Sequence, residues 1–326
     1  MNAEILISDP LGKSISMPVV EEGFEWRLER AGVPGILEFK VVNDGLIAID
    51  EGFAVQLHVD GVPVFFGFVF KRQRTKEQII TVTAYDQLRY FKNKDTYVYR
   101  NWTATQLIQA IAADFSLNTG ELEDTGFVIP SRREQNMTLF DMVGSALDLT
   151  LMNTKEMFVL FDDFGKLALK NIANMYVGGA GGYLAIDAET GENFEYSTSI
   201  DDNTYNKVKL AYENEETGKR DVYIAQHGEN MNRWGILQYF DTLQKGENGQ
   251  AKADALLQLY NKKTRNLKIA NAFGDIRVRA GSLVLVNLAL GDMAVQNFML
   301  VEKVTHKFDG GGHWMDLTLR GGEFVA

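Results

Sequence analysis

The sequence predicts a mainly β chain with an α+β insertion. Two strand-rich ends flank a region of two helices and a small sheet. Three observations carry this reading. Short runs of alternating apolar and polar residues fill the first ninety-odd positions. Helical spacing takes over between about residues 103 and 147. Alternation then returns from about residue 197. A chain of 326 residues accommodates two or three domains. The changes of pattern place them at 1–95, 96–196 and 197–326.

In the first region, residues 5–8 are β-prone and stop at the turn signal Asp9-Pro10-Leu11-Gly12. Phe24-Glu25-Trp26-Arg27-Leu28 alternates as a half-buried strand does. The Gly32–Gly35 break leads to a strand at 36–42, and 53–59 alternates again. Asp60-Gly61 marks a hairpin. The following run, 64–70, is apolar on both faces, so it must be covered on both sides or paired with another chain. Gly67 in its middle implies a bulge or a close backbone approach. Residues 79–85 form a sixth strand. Six short strands separated by turns suit a barrel or a sandwich.

In the middle region, Thr103 and Gln106 form a capping box ahead of an apolar face of Leu107, Ile108, Ile111, Ala112 and Phe115. Thr138 with Asp141 opens a second helix, whose face is Leu139, Met142, Val143, Ala146 and Leu147. Residues 157–161 and 167–170 flank Asp162-Asp163-Phe164-Gly165-Lys166 as a hairpin. The glycine-rich stretch 178–182 ends the region. In the last region, strands are expected at 207–212 and 221–225 across the polar loop 213–219. Ala253, Leu256, Leu257 and Tyr260 mark one helix. Further strands are expected at 275–278, 282–288, 298–308 and 313–320, the last two joined through Asp309-Gly310-Gly311-Gly312.

Composition narrows the function. Forty-four acidic against 33 basic residues give a net charge of −11, unfavourable for a nucleic-acid partner. The absence of cysteine removes disulfides, thiolate metal sites and cysteine nucleophiles. No apolar run approaches the roughly 18 residues of a membrane span, and residues 1–10 lack the pattern of a secretory signal. Membrane insertion is therefore not expected.

No catalytic, cofactor-binding or metal-binding residue is assigned. The four histidines are His58, His227, His306 and His313. A terminal hairpin turning at Gly310–Gly311 puts His306 and His313 on one face, but among Val304, Phe308, Met315, Leu317 and Leu319 and without a third ligand. They read as packed, hydrogen-bonded residues. Asp162-Asp163 and Asp201-Asp202 read as turn carboxylates. The 178–182 run lacks the Gly-Lys-Ser/Thr of a phosphate loop. Lys71-Arg72-Gln73-Arg74 reads as a solvated hairpin rim. Trp234 and Trp314 are expected in a core or an interface.

Three stretches carry a family resemblance. One is Gly67-Phe68-Val69 through Thr81-Val82-Thr83-Ala84-Tyr85-Asp86-Gln87-Leu88. Another is Tyr205-Asn206-Lys207-Val208-Lys209-Leu210. The third is Val278-Arg279-Ala280-Gly281-Ser282-Leu283-Val284, followed by Met299-Leu300-Val301-Glu302-Lys303-Val304-Thr305-His306 and Met315-Asp316-Leu317-Thr318-Leu319. In order and spacing they resemble the XkdQ/YqbQ-type hub proteins of contractile phage tails and phage-tail-like bacteriocins. More distantly they are similar to the late control D family and the type VI spike hub.

The resemblance implies two tube-like β-barrels flanking the α+β insertion. It implies a structural, non-enzymatic baseplate hub without cofactors. Its partners would be two further copies of itself in a homotrimer, the hexameric tail tube, a separate spike protein and other baseplate proteins. It implies assembly in the bacterial cytoplasm, then incorporation into the released particle. The alternative reading is a peptidoglycan hydrolase of the same tail, which would need an acid in an apolar pocket and a second carboxylate across a cleft.

Overall fold

The computed structural model describes the chain except residues 13, 43–48, 75, 77, 180–181, 192, 202–203, 215–217, 244–247, 290–293 and 322–326. The described residues are mainly strand with a few helices. They group into two compact units, Met1–Glu195 with Leu267–Ala326, and Tyr196–Asn266.

The larger unit begins with seven strands: β1 (Ala3–Ser8), β2 (Ile15–Ser16), β3 (Phe24–Glu29), β4 (Ile36–Val42), β5 (Ala54–Val59), β6 (Val62–Arg74) and β7 (Ile79–Tyr85). Asp60 and Gly61 both have positive φ and close the β5–β6 hairpin, as the Asp-Gly pair predicts. The order β3–β4–β7–β6–β5–β1–β2 is antiparallel throughout. Beyond β2, Val20 bridges Val41 of β4, with Val42 N–H donating to Val19 O at 3.1 Å. Alternate residues Leu37, Phe39, Val41, Val55, Leu57, Phe65, Val69 and Val82 fill one core.

A 3₁₀ turn, Gln87–Lys92, leads into β8 (Lys94–Trp102), α1 (Ala104–Asp114), β9 (Thr119–Leu122), β10 (Ile129–Thr138), α2 (Leu139–Thr154), β11 (Phe158–Asp162) and β12 (Leu167–Asn171). The capping box at α1 is complete: Thr103 N–H donates to Gln106 Oε1 at 2.9 Å, and Gln106 N–H to Thr103 Oγ1 at 3.3 Å. Thr138 caps α2 through the Asp141 N–H. Leu107, Ile108, Ile111, Leu139, Met142 and Ala146 form a second core between the helices and these strands. β8 and β10 form a two-stranded ribbon, an element that 94–102 and 129–138, dense in charge, do not announce.

Short pieces β13 (Gly178–Gly179), β14 (Gly182–Tyr183) and β15 (Ala185–Ile186) follow. β16 (Asn193–Ser199) carries the chain out of the unit.

The smaller unit has a central strand β17 (Lys207–Asn214), flanked by antiparallel β18 (Lys219–Gln226) and, after α3 (Gly228–Trp234), by parallel β19 (Gln238–Thr242). Helix α4 (Gly249–Tyr260) packs on β17 and β18, burying Ala253 and Leu256 against Val208, Leu210 and Ala225. Asn206 pins this unit: its amide donates to Gly235 O at 2.7 Å and its Oδ1 accepts from Leu237 N–H at 2.9 Å.

The chain returns through β20 (Thr264–Phe273) to β21 (Leu283–Ala289), β22 (Ala294–Asp309) and β23 (Gly312–Arg320). β22 pairs with β21 and β23, and its second half with β3. One continuous sheet therefore joins the strands of the two ends of the sequence. The seam is reinforced by Arg30, which donates to both oxygens of Glu302 at 2.7 and 3.3 Å, and by Lys303–Glu29 at 2.8 Å. The expected strand at 275–278 is a turn instead. Val278 N–H donates to Asp275 O at 3.0 Å, and Asp275 spends its carboxylate on Arg277. An ion pair between residues i and i+2 suits a turn, where the backbone folds back on itself.

The doubly apolar strand is covered. Phe65, Gly67 and Val69 face the core, while Phe66 and Phe68 meet on the other face. There Phe164, at the tip of the β11–β12 hairpin, stands 5.8 Å from Phe66. Gly67 is a close approach, as its place in the strand predicts. A Cβ there would collide with the Tyr85 carbonyl and stand 2.6 Å from Phe65 Cζ.

Candidate functional site

Two buried polar centres lie in the larger unit. The first is histidine-based. β22 and β23 pair His306 opposite Met315 and Phe308 opposite His313, the register the terminal hairpin predicts. His306 Nε2–H donates to Val278 O at 2.9 Å. Nδ1 then accepts from His313 Nε2–H at 2.9 Å. Trp26 stacks on His306 at 4.6 Å, and Phe308 on His313 at 4.6 Å. Burial drives the His306 pKa down to about 3, with His313 adding to the effect. Burial likewise lowers His313 to about 4, against the pull of Asp275. These are two neutral imidazoles in a stacked relay. Among the described residues no group of three or more His, Asp or Glu could hold a metal ion.

The second centre joins three distant segments. Asp86 caps the 3₁₀ turn: Oδ1 accepts from Leu88 N–H at 3.0 Å and Oδ2 from Gly35 N–H at 2.8 Å. Asp162 closes the β11–β12 turn by accepting from Gly165 N–H at 2.7 Å. Arg279 reaches over from the turn before β21. It donates to the Asp162 carbonyl at 2.7 Å and to Asp163 Oδ1 at 3.1 Å, its guanidinium 4.3 Å above the Phe161 ring. Gly281 (φ +96°) makes that turn and stands against Val159.

Burial raises the Asp86 carboxyl well above the usual range, and the charge of Asp162 raises it further. Burial raises Asp162 to about 6, opposed by the Gly165 N–H, Gln87 and Arg279. The turn role read for Asp162 holds, but the sequence did not disclose that its carboxyl is buried beside a second acid. The other acid pair falls outside the described residues at Asp202, as do residues 180–181 of the glycine run.

Lys71 to Arg74 lie exposed at the end of β6, where Arg72 pairs with Asp50 and Glu51. Trp314, expected in a core or an interface, lies partly open to solvent 5.6 Å from Phe273.

Apolar side chains also reach the surface. In the larger unit Ile15, Met17 and Val19 are 64–72% exposed on alternate residues. In the smaller unit Val222, Ile224 and Phe240 line the sheet face opposite α4. Exposed apolar stripes of this kind are suited to contact with a partner surface. No helix among the described residues is long and apolar enough to cross a membrane.

A sequence model described as YQBQ-like matches residues 24–320. The chain belongs to the YQBQ-like family. It is 28% identical to the uncharacterized protein YqbQ of Bacillus subtilis (strain 168), covering 92% of each chain. It is 29% identical to the phage-like element PBSX protein XkdQ of the same organism, covering 91% of this chain and 89% of that one. Among solved structures, the 43 kDa tail protein of prophage MuSo2 from Shewanella oneidensis shares this fold. The TM-score is 0.68 at 14% identity, over 97% of this chain and 98% of that one. The E. coli c3393 protein, a type VI secretion component, aligns with a TM-score of 0.58 at 12% identity, over 99% of this chain and 78% of that one. The resemblance stretches carry Asp86, Arg279 and His306 of the two buried centres, while Asp162 and His313 lie outside them.

Proposed function

We propose that this YQBQ-like chain is the structural baseplate hub of a contractile tail, in a phage or a phage-tail-like bacteriocin. Three copies form a ring that adapts the sixfold tail tube to a threefold central spike. The observation that carries this reading is similarity over about nine-tenths of the chain to a protein named for a phage-like element. The fold shared end to end with a prophage tail protein supports it. Both buried centres are occupied in holding segments together, which supports a non-enzymatic role.

In this reading residues 1–95 and 197–326 each supply a tube-like barrel, and 96–196 is the insertion that meets other baseplate parts. Three chains with two barrels each present six similar surfaces to the tube. The bridge from Val20 to Val41, which links β2's side of the sheet back to β4, supports a closed first barrel. The exposed stripe at Ile15, Met17 and Val19 supplies an apolar surface for a neighbour. The spike is a separate partner, and the protein is built in the bacterial cytoplasm and leaves in the particle.

The test is the symmetry of the ring in an assembled tail. Three copies with two superposable barrels per chain are expected. Six copies, or end regions of unrelated fold, defeat the proposal. Peptidoglycan clearing by purified protein, abolished by one carboxylate substitution, would favour a hydrolase instead.

A further inference from the structure

The Asp86–Asp162–Arg279 centre has an unbalanced inventory. Asp86 is 3% exposed and Asp162 7%. Two carboxylates and one guanidinium sum to a net negative charge inside the protein. Asp163 adds no compensation: it sits at the exposed rim and already bonds Arg279. Glu29 of β3 also borders the centre and is paired with Lys303. The Gly35 turn and Gln87 bring no charge. Among the described residues lining the cavity, Arg279 is the one cation.

Two polar atoms there lack a hydrogen-bond partner, Asp162 Oδ2 and Arg279 Nε. Both belong to residues lining a cavity of about 10 Å³, together with Asp86, Gly35 and Glu29. That volume is close to the size of one water, too small for a larger ligand. Two buried carboxylates beside a single guanidinium that Asp163 also engages take up a proton rather than both remain ionised.

We propose that the Asp86–Asp162 pair holds one proton at neutral pH, and that this proton clamps the β11–β12 hairpin and the 279–281 turn to the Gly35–Asp86 junction. With it, the buried pair carries one negative charge rather than two beside the Arg279 guanidinium. Without it, two buried anions repel. The hairpin then loosens, taking Phe164 off the Phe66 face of β6. The centre is thus a proton-dependent latch between the inserted region and the strands at both ends of the sequence.

Hydrogen exchange of the full chain tests this, read on residues 158–167 between pH 6 and 9 and corrected for intrinsic exchange. Protection of this hairpin should fall about tenfold as the pair loses its proton, while the α1 core stays unchanged. Asp162→Asn keeps the acceptor for Gly165 and should abolish the pH dependence. Asp86→Asn should do the same and covers the case in which the first variant fails to fold. The carboxylic-acid infrared band at pH 7 should be weaker in either variant than in the wild type. Flat wild-type protection, a variant that keeps the wild-type pH dependence, or unchanged infrared bands would each overturn the proposal.

Discussion

His306 and Asp86 are equally withdrawn from water, 0% and 3% exposed, yet their neighbourhoods solve the problem of burial in opposite ways. The histidine centre is neutral and its polar atoms pass hydrogen bonds along a chain that ends on a backbone carbonyl. The acid centre keeps charge, a guanidinium among carboxylates, and leaves two atoms unpartnered. The lesson concerns sign. The imidazoles have folded pKa values below their unfolded value of about 6.5. Their contribution is intact above that pH and is lost as pH falls toward 4 and 3. The carboxyls have folded values above the ordinary 3.8. Their contribution is intact below 3.8 and is lost as pH rises, for Asp162 through about 6. Between about pH 4 and 6 the two centres oppose one another.

Substitutions can separate these terms. The largest effect is expected from His306→Ala. It opens a void beside Trp26 and strands both Val278 O and His313, costing about 4 kcal/mol in denaturant melts. A loss below about 1 kcal/mol would show that the relay is incidental to the seam. Arg279→Met comes next, at about 3 kcal/mol at pH 7, because it leaves the buried charge of the Asp86–Asp162 pair with no cation. That loss should shrink at pH 5, where the acids take up protons. An equal loss at both pH values would mean that Arg279 acts by packing on Phe161 alone.

Asp162→Asn is expected to be mildly stabilising at pH 7, by about 1 kcal/mol, since it removes a carboxylate held above its preferred pKa. Its melting temperature should then fall more steeply than the wild type's between pH 6 and 4, where the Asp162 term no longer offsets the histidine term. A shallower fall would reverse the assignment of the two centres. His313→Gln is the smallest change, about 1 kcal/mol at neutral pH, because glutamine can still donate to His306 Nδ1. It should flatten the acid limb, and thermal scans over the same pH range would read this directly.

What the sequence made legible is local. Alternation marked the six N-terminal strands, and Thr-x-x-Gln and Thr-x-x-Asp marked both helix starts. The Gly310–Gly311 turn fixed the register that brings His306 to His313. Gly67 announced a close approach because a strand interior tolerates glycine poorly unless something needs the room. What stayed hidden depends on distant partners. The turn chemistry of Asp162 is the same whether the hairpin tip is solvated or buried. Phe66, Gly35 and Arg279 decide which, and they lie far along the chain. The ribbon of β8 and β10 has too many charges to read as strands. The 275–278 segment alternates like a strand, but Asp275 and Arg277 bind each other and curl it. The β3–β22 pairing leaves no signature in either strand alone.

That seam has a consequence for how the molecule is made. Arg30 and Glu302 are 272 residues apart. At bacterial-type elongation rates of roughly 5–20 residues per second, β3 waits on the order of 10–50 s for its partner strand. Throughout that interval one edge of β3 offers unpaired backbone groups to any neighbouring nascent chain. Contacts this far apart in sequence carry a large loop-closure cost. The seam between β3 and β22 therefore cannot close until residues 303–308 have been made, long after β3 itself.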